Sequence, residues 1–491
     1  VGPRSTVGPR STRVVRIAAI GALASALASA LTGGSAPTGP VRAAAPAQIF
    51  VPPTLHHVYL AAVINDAPVS EFPMAPTAAP PTATPEPSNT PAATAIPTPT
   101  TIPGKPGECS VPLPSRVSTH AIDIGDFEVQ RKPTYFTSMP ILAAPIDNGR
   151  TWVAWPDTDG QVHFSRVTLL GRKESNDVKV QGDSVHGLVA VGDDGGAALV
   201  VQNEQMLLVR FKNDGTIPWK TVIVGQKGEN SPSGGKWIRP SWTHESRLRW
   251  TGQVFVAYVG HVQNWGANGV HQGDLIWLYD PDGQRVLPKE PLARDYPQWD
   301  WGCSHSLDVR LRYNNLNALD IVGPVCLSDG FPAKGIIYRH GPTLRSEPSG
   351  DGGGHSDAEL GGLVNLPDGF ALNFQSKEGR KSYDVGLVRI YGDADEISDP
   401  YWFTNTPSVD EVAPHLANYG DHLLVGWNEG DALKLSVFTT RAEPREAPVT
   451  VNAAVGARDD FENYPNGDVG WAYASDDGKQ LKLAHVQACV P

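Results

Sequence analysis

Charged residues and cysteines are both scarce in this chain of 491 residues. Only 19% of the residues are charged, and the formal net charge is −12. This acidic balance argues against a general nucleic-acid-binding protein, because contact with phosphate requires a basic surface. The four cysteines are Cys109, Cys303, Cys326 and Cys489, and they form no CxxC pair or Cys/His cluster of zinc spacing. An even, low count fits two disulfides, for which three connectivities are possible.

Short catalytic and cofactor-binding motifs are also missing. The sequence has no GxSxG, HExxH, P-loop or GxGxxG in the required context, and no DxDxDG calcium loop. The glycine-rich stretch 350–362 is not followed by a helix that could cradle a phosphate, so we interpret it as a loop. We therefore predict no cofactor and no bound metal.

The amino-terminal region predicts an exported chain. Arg10, Arg13 and Arg16 precede the apolar, small-residue run 17–31, which is the pattern of a signal peptide, with an uncleaved anchor as the alternative. We assign residues 1–45 to the signal peptide and its flanks. We expect no transmembrane helix in the mature chain, and a secreted or cell-surface location.

Three further segments follow the signal peptide. Residues 46–72 form a short apolar segment whose purpose is not evident from the sequence. Residues 73–106 are rich in Thr and Pro, cannot pack a core, and are predicted to be a stiff, disordered linker. Residues 107–491 form the predicted folded domain.

Turn signals repeat regularly through the folded domain. Gly, Asn and Asp recur in two interleaved series, and these residues supply the positive φ that tight hairpins need. The first series falls at 147–149, 193–196, 251–252, 314–315, 367–369, 419–421 and 465–467. The second falls at 159–160, 203–204, a longer loop at 260–273, then 329–330, 378–379, 429–430 and 477–478. Short β-prone runs lie between these turns, and no helix-period stretch of useful length interrupts them.

Seven units of antiparallel strands at this spacing resemble the seven-bladed β-propeller superfamily over roughly residues 115–491. A β-sandwich would need fewer strands, and a solenoid would need shorter, more uniform repeats. No blade signature of a named family is present. The predicted fold class is therefore all-β, a propeller that we expect to be monomeric.

A propeller ring must close, because an open ring leaves strand edges exposed. The last unit ends after its third strand, so we predict that the segment 118–129 supplies its outer strand. Cys109 and Cys489 would then lie close together and form one disulfide. Cys303 and Cys326 are symmetric about the predicted turn at 314–315, which would place them opposite one another as the second disulfide.

The resemblance implies that the loops leading into the innermost strands line one face of the central channel. Histidines recur near these positions, and aromatic and acidic residues accompany them, a mixture that suits a sugar or peptide pocket. The alternative is that the histidines and aromatic rings tie and pack neighbouring blades. The candidate ligand-binding residues are Trp242, His244, Trp299, Trp301, His305, His355, Asp357, Trp402, Asp410 and His415, with His186 in an equivalent position.

These residues favour a binding module for an extracellular glycan or protein. One alternative is a polysaccharide hydrolase or lyase that uses carboxylates of the same loops. A purely structural surface module is the other. A sialidase-like site would need an arginine cluster, and the arginines available for one are Arg239, Arg247, Arg249, Arg310 and Arg312, in no recognisable motif.

Overall fold

The computed structural model describes residues 111–131, 141–225, 228–240, 246–302, 306–316, 319–328, 336–338, 343–346, 358–377, 380–391, 397–456 and 461–488. Within these ranges, helix is confined to short pieces: the α-helix α1 (Leu113–Arg116) and the 3₁₀ turns Gly192–Asp194, Gly266–Asn268 and Pro291–Ala293. The signal peptide, the apolar segment, the Thr/Pro linker and Cys109 lie outside the described residues and stay predictions. No helix in the described part of the chain is long and apolar enough to cross a membrane.

The strands form antiparallel sheets that follow one another along the chain. After α1 comes β1 (Val117–Ile122). Sheet 1 contains β2 (Leu142–Pro145), β3 (Arg150–Pro156), β4 (Gln161–Thr168) and β5 (Val178–Gln181). Sheet 2 contains β6 (Ser184–Ala190), β7 (Gly196–Gln202), β8 (Gln205–Phe211) and β9 (Trp219–Val224). Sheet 3 contains β10 (Lys236–Pro240), β11 (Ser246–Trp250), β12 (Phe255–Asn264), β13 (Val270–Tyr279) and β14 (Arg285–Val286).

The same order continues through the second half. Sheet 4 contains β15 (Ser306–Leu316), β16 (Leu319–Ser328), β17 (Ile336–Tyr338) and β18 (Thr343–Ser346). Sheet 5 contains β19 (Glu359–Leu366), β20 (Gly369–Ser376), β21 (Asp384–Tyr391) and β22 (Tyr401–Trp402). Sheet 6 contains β23 (Glu411–Tyr419), β24 (His422–Glu429), β25 (Ala432–Thr439) and β26 (Pro444–Thr450). Sheet 7 contains β27 (Glu462–Asn463), β28 (Val469–Ala474), β29 (Leu481–Val486) and β1.

The first strands of the sheets meet around a common axis. Contacts join β2 to β6, β6 to β11, β11 to β15, β15 to β19, β19 to β23, β23 to β27 and β27 to β2. We call these the innermost strands, and the space that they surround is the central channel. The predicted all-β propeller is thereby confirmed.

Apolar side chains fill the space between successive sheets. Trp152, Phe164 and Phe211 pack between sheets 1 and 2, and Phe164 stacks on Phe211 with ring centroids 4.2 Å apart. Because the sheets are covered on both faces, central strands are buried along their whole length, as in β20, where all eight residues are buried.

Most predicted turns are confirmed. The hairpins at 147–149, 159–160, 193–196 and 477–478 lie between strands as expected, and Asn203 and Glu204 both have positive φ, at 50° and 61°. The predicted turns at 329–330 and 378–379 lie outside the described residues. Two other predictions are wrong, those at 260–273 and at 314–315.

The segment 260–273 is largely strand. β12 continues to Asn264 and pairs with Val270, so only the residues between them form the turn. His261 and Gln263 are fully buried in this extension, so this polar stretch is part of the packed sheet rather than an exposed loop.

The predicted turn at Asn314-Asn315 lies within β15 instead. The ladder runs on to Leu316 opposite Leu319, and Cys326 therefore faces Val309 in the register. The Asn314 amide donates to the carbonyls of Leu366 and Gly369, at 3.1 and 3.0 Å, so this asparagine joins sheets 4 and 5. The hairpin symmetry used to pair Cys303 with Cys326 is lost. Cys326 is buried and is not a free thiol, whereas Cys303 and Cys489 lie outside the described residues, so both pairings stay predictions.

Residues from the two halves of the sequence meet in sheet 7. β1 pairs antiparallel with β29, from Val117 opposite Val486 to Ile122 opposite Leu481. The strand is shorter than the predicted segment 118–129. Just before β1, the buried Arg116 binds Glu446 and the Tyr419 hydroxyl, and its carbonyl accepts a bond from Gln487 N at 3.0 Å. The amino-terminal strand is therefore held by sheets 6 and 7 together.

A buried polar network anchors sheet 1. His163 is fully buried, with Nε2 2.7 Å from Asp157 Oδ2 and Nδ1 3.1 Å from Asp177 Oδ2. Its ring stacks on Trp155 with centroids 3.9 Å apart. Ser165 Oγ donates to Asp177 Oδ1 at 2.8 Å. Burial alone would raise the pKa of Asp177, but hydrogen bonds from His163, Lys173 and Ser165 bring it below its ordinary value.

Candidate binding cavity in the central channel

Five of the sequence-predicted site residues have described positions. These are Trp299, Trp301, Trp402, Asp410 and His415. Trp242, His244, His305, His355 and Asp357 lie outside the described residues. The five described residues belong to different sheets and loops, and only Trp299 and Trp301 lie together.

Trp299 and Trp301 hold the loop before sheet 4 against β13. Trp299 exchanges two backbone hydrogen bonds with Ile276, and its indole N–H donates to Asp274 Oδ1 at 2.9 Å. Asp274 is fully buried and also accepts a bond from the Tyr258 hydroxyl at 2.8 Å. Trp301 packs over Gly273, where any Cβ would lie about 2.9 Å from the indole ring. Trp299 thus has a packing role in the described structure.

His415 is also tied into the fold. Its side chain is 3% exposed and stacks on Phe461, and Nε2 lies 2.9 Å from the Gly456 carbonyl oxygen. This arrangement is the inter-blade tie that the sequence left open as an alternative.

Trp402 and Asp410 occupy more peripheral positions. Trp402 is on β22, the outermost strand of sheet 5, with the Arg380 guanidinium 3.6 Å from its ring centroid. Asp410 is exposed, and its carboxylate accepts a bond from Tyr383 N at 2.9 Å. Neither position is on an innermost strand.

A cavity of about 320 Å³ opens where the innermost strands end, at the opposite side of the channel from the loops that the sequence pointed to. It is lined by side chains and backbone from five sheets. The lining residues are Arg249, Trp250, Arg312, Tyr313, Val364, Asn365, Asn418, Gly420, Glu462, Asn463, Tyr464 and Gly467. We call this space the channel cavity.

Three charged groups dominate the channel cavity. Arg249 Nη2 lies 3.2 Å from Glu462 Oε1, and Arg312 Nη1 lies 3.2 Å from Glu462 Oε2. The arginines come from sheets 3 and 4 and the glutamate comes from sheet 7, so one carboxylate bridges two guanidinium groups across the channel. The three side chains are only 14–16% exposed. In so enclosed a setting charge interactions are stronger than at an open surface.

Backbone carbonyls hold both guanidinium groups in place. Arg249 Nε donates to the Leu311 carbonyl at 3.0 Å, and Arg312 Nε donates to the Leu363 carbonyl. Each carbonyl belongs to the innermost strand of the next sheet. The arginines are therefore positioned by the ring itself as well as by Glu462, which pre-organises them for an anion.

Amide groups complete the polar lining. Asn365 Nδ2 donates to the Tyr313 carbonyl at 2.8 Å, and Asn463 Nδ2 donates to the Asn418 carbonyl. Asn365 Oδ1 accepts no hydrogen bond within the described part of the chain. The channel cavity thus combines cationic, amide and aromatic groups, a mixture that can bind a polar ligand carrying negative charge.

A repeated pattern in the sequence indicates the arginines of this cavity. R-L-R-W at 247–250 and R-L-R-Y at 310–313 place arginines two residues apart in strands of neighbouring sheets. Alternation along a strand puts such a pair on one face. Glu462 carried no comparable signal, because it stands in a two-residue strand 150 positions from Arg312.

A pair of carboxyl groups is buried at the junction of sheets 5 and 6, away from the channel cavity. Asp384 and Glu411 are each 1% exposed. Asp384 accepts bonds from Thr404 Oγ1 and Thr406 N, at 3.2 and 3.1 Å, and Glu411 accepts one from Thr406 Oγ1. Burial, together with the neighbouring Asp384, raises the pKa of Glu411 to about 7. No group of three or more His, Cys, Asp or Glu side chains able to hold a metal is found within the described ranges.

The raised pKa of Glu411 gives a pH-dependent term in stability. Because the pKa of about 7 in the folded protein exceeds the ordinary pKa of 4.5, this term favours folding below pH 4.5 and is lost as the pH rises through 7. Glu411→Gln is expected to remove this loss of stability. Between pH 5 and pH 8, the free energy of unfolding of the variant should rise relative to that of the wild type by an amount on the order of 2 kcal/mol. Urea unfolding of both proteins from pH 5 to pH 8 measures the difference. Glu443→Gln, at an exposed position, is the control, and equal pH slopes for wild type and Glu411→Gln would contradict the assignment.

No protein-family model matches the chain, and no curated protein matches it. Among solved structures, it is similar to the RRP9 WD40 repeats, with 9% identity, a TM-score of 0.42, and coverage of 75% of this chain and 100% of that one. It is also similar to the quinohemoprotein alcohol dehydrogenase of Comamonas testosteroni, with 11% identity, a TM-score of 0.39, and coverage of 77% and 78%. The Cps50 (Swd1) β-propeller domain of Myceliophteria thermophila gives 10% identity, a TM-score of 0.38, and coverage of 71% and 97%. Likenesses this distant carry no argument about what this chain binds.

Proposed function

We propose that the chain is a secreted or cell-surface binding module, and that an extracellular glycan or protein binds in its central channel. The observation that carries this proposal is the channel cavity, in which innermost strands of separate sheets contribute guanidinium, amide and phenol groups to one space. Its volume lies at the lower end of the range of ligand sites, about 300–1,000 Å³. The export pattern at residues 10–31 supports an extracellular ligand.

The proposal includes a seven-bladed ring closed by β1. Two observations support it: the chain of contacts from β2 round to β27, and the pairing of β1 with β29. A disulfide between Cys109 and Cys489 would add to this closure, since it would tie the two flanks of sheet 7.

Binding is favoured over hydrolysis by the lining itself. Glycoside hydrolysis generally uses two carboxyl groups that flank the scissile bond. Among the described residues that line the channel cavity, Glu462 is the one acidic residue, and it is already bridged by two arginines.

Filling the channel cavity is expected to abolish binding. Asn418 is half-buried at its wall, so Asn418→Trp places an indole where the ligand would lie, and we expect affinity to fall at least about tenfold. The full chain and the variant are tested on an array of neutral and acidic glycans and extracellular proteins. Asn452→Trp, at an exposed position away from the cavity, is the matched control. Equal binding by Asn418→Trp and the wild type would refute the location, and no binding to any array member would refute the function.

A further inference from the structure

We infer that the channel cavity recognises the carboxylate of an acidic sugar, and that Glu462 occupies this carboxylate's place in the free protein. The inference rests on the proposed function, since it names the ligand class for the same cavity. It goes further in assigning Glu462 a role as an internal competitor.

The geometry around Glu462 resembles a bound ligand carboxylate. Each carboxylate oxygen meets one nitrogen of a different arginine at 3.2 Å. Charge-assisted bonds of this kind are usually about 2.7–2.9 Å, and the strongest arginine pairs are bidentate. The Glu462 contacts are longer and single, so a better-placed carboxylate can replace them.

The arginines do not depend on Glu462 for their position. Arg249 and Arg312 each donate Nε to a backbone carbonyl of the adjoining sheet, so their guanidinium groups stay at the cavity wall if Glu462 turns away. The described lining contains two positively charged arginines and one negatively charged carboxylate, whereas the whole chain has a net charge of −12. A local positive site in an acidic protein selects an anion through local contacts rather than by long-range attraction.

The rest of the lining favours a sugar over a peptide carboxylate. The amides of Asn365 and Asn418 offer hydrogen bonds and Tyr313 offers the edge of its ring, which suit a sugar. A cavity of about 320 Å³ admits a single terminal uronic acid rather than a length of polymer.

Internal competition lowers the apparent affinity, because the binding-competent state is the fraction in which Glu462 has left the arginines. Glu462→Gln removes the negative charge and keeps the shape. The dissociation constant for trigalacturonic acid is therefore expected to fall about tenfold, and that for its fully methyl-esterified form is expected to stay within about twofold. Arg312→Lys keeps the charge but loses the planar fork, and we expect it to weaken acid binding about tenfold.

Titration calorimetry with the full chain, at one ionic strength, measures both probes against wild type, Glu462→Gln, Arg312→Lys and the exposed control Glu443→Gln. Circular dichroism melts establish that each variant is folded, and Arg312→Lys supplies an independent arm if Glu462→Gln does not fold. Equal or weaker acid binding by a folded Glu462→Gln would overturn the inference, as would equal binding of acid and ester by the wild type. A gain for an acidic peptide without a gain for the sugar would overturn the assignment to a sugar. Binding of neutral glycans alone would refute the inference but leave the proposed function standing, whereas no binding of any array member would remove both.

Discussion

A chain that begins at Asp123 instead of Gly107 is expected to lose its cooperative unfolding transition. The deletion removes β1, α1 and the buried residues Leu113, Arg116 and Ile122, which are 1%, 5% and 3% exposed. Burial of each apolar side chain contributes about 1.5–3 kcal/mol, and removal of Arg116 leaves Glu446 without its partner. The sum is comparable with the total stability of a domain, about 5–15 kcal/mol. The deletion also leaves β29 as an unpaired edge.

The comparison of the two truncated chains is made by calorimetry and by urea unfolding. The chain from Gly107 is the control, because it lacks the same amino-terminal hundred residues but keeps β1. A peptide of residues 107–122 added in trans should restore a cooperative transition to the chain from Asp123, and the same peptide with Leu113→Asp and Ile122→Asp should not. An unchanged transition in the chain from Asp123 would show that sheet 7 is complete without β1.

Replacing His163 with leucine is expected to lower the free energy of unfolding by about 3–5 kcal/mol. The imidazole lies between Asp157 and Asp177, at 2.7 and 3.1 Å, and all three side chains are nearly fully enclosed. Leucine packs acceptably against Trp155 but leaves two carboxylates facing an apolar group. Removing a partner from a buried carboxylate costs more than their hydrogen bond contributes, since the carboxylate stays desolvated.

The pH dependence distinguishes this cause from a simple packing defect. The penalty in His163→Leu should shrink as the pH falls towards about 4, where carboxyl groups take up protons. His163→Gln keeps an amide NH₂ that can donate to a carboxylate and should lose less stability. Denaturant unfolding at pH 7 and pH 4 tests both points, and a loss that is the same at both pH values would indicate packing alone.

Turn chemistry explains why so much of the fold was predictable. Asn203-Glu204 and Asp159-Gly160 reverse the chain through local conformational preferences, which a sequence displays directly. Asn314 is a residue type typical of turns, but here its side-chain amide joins two sheets. That purpose depends on a neighbour more than fifty positions away, so no local pattern could reveal it.

The candidate site was less predictable for the same reason. Trp299 and His415 are candidate ligand-binding residues in the sequence, with packing and tying of blades as the alternative, and in the structure they bind a buried aspartate and a backbone carbonyl. The channel cavity depends on Arg249, Arg312 and Glu462 coming together from three sheets. Such a meeting depends on how separate sheets pack together, and spacing along the sequence does not express it.

The pairing of β1 with β29 also governs the order of events during synthesis. Sheets 1 to 6 are built from strands that are neighbours in sequence, so each can assemble as the chain leaves the ribosome. β1 is made first among the strands, yet its partner β29 is the last to appear. It must wait, unpaired, until translation of the domain is finished, and long-range pairing of this kind is slow. Once β29 has been made, and until β1 pairs with it, its free edge is equally able to accept β1 from another copy, which makes strand exchange between copies the characteristic misassembly of this architecture.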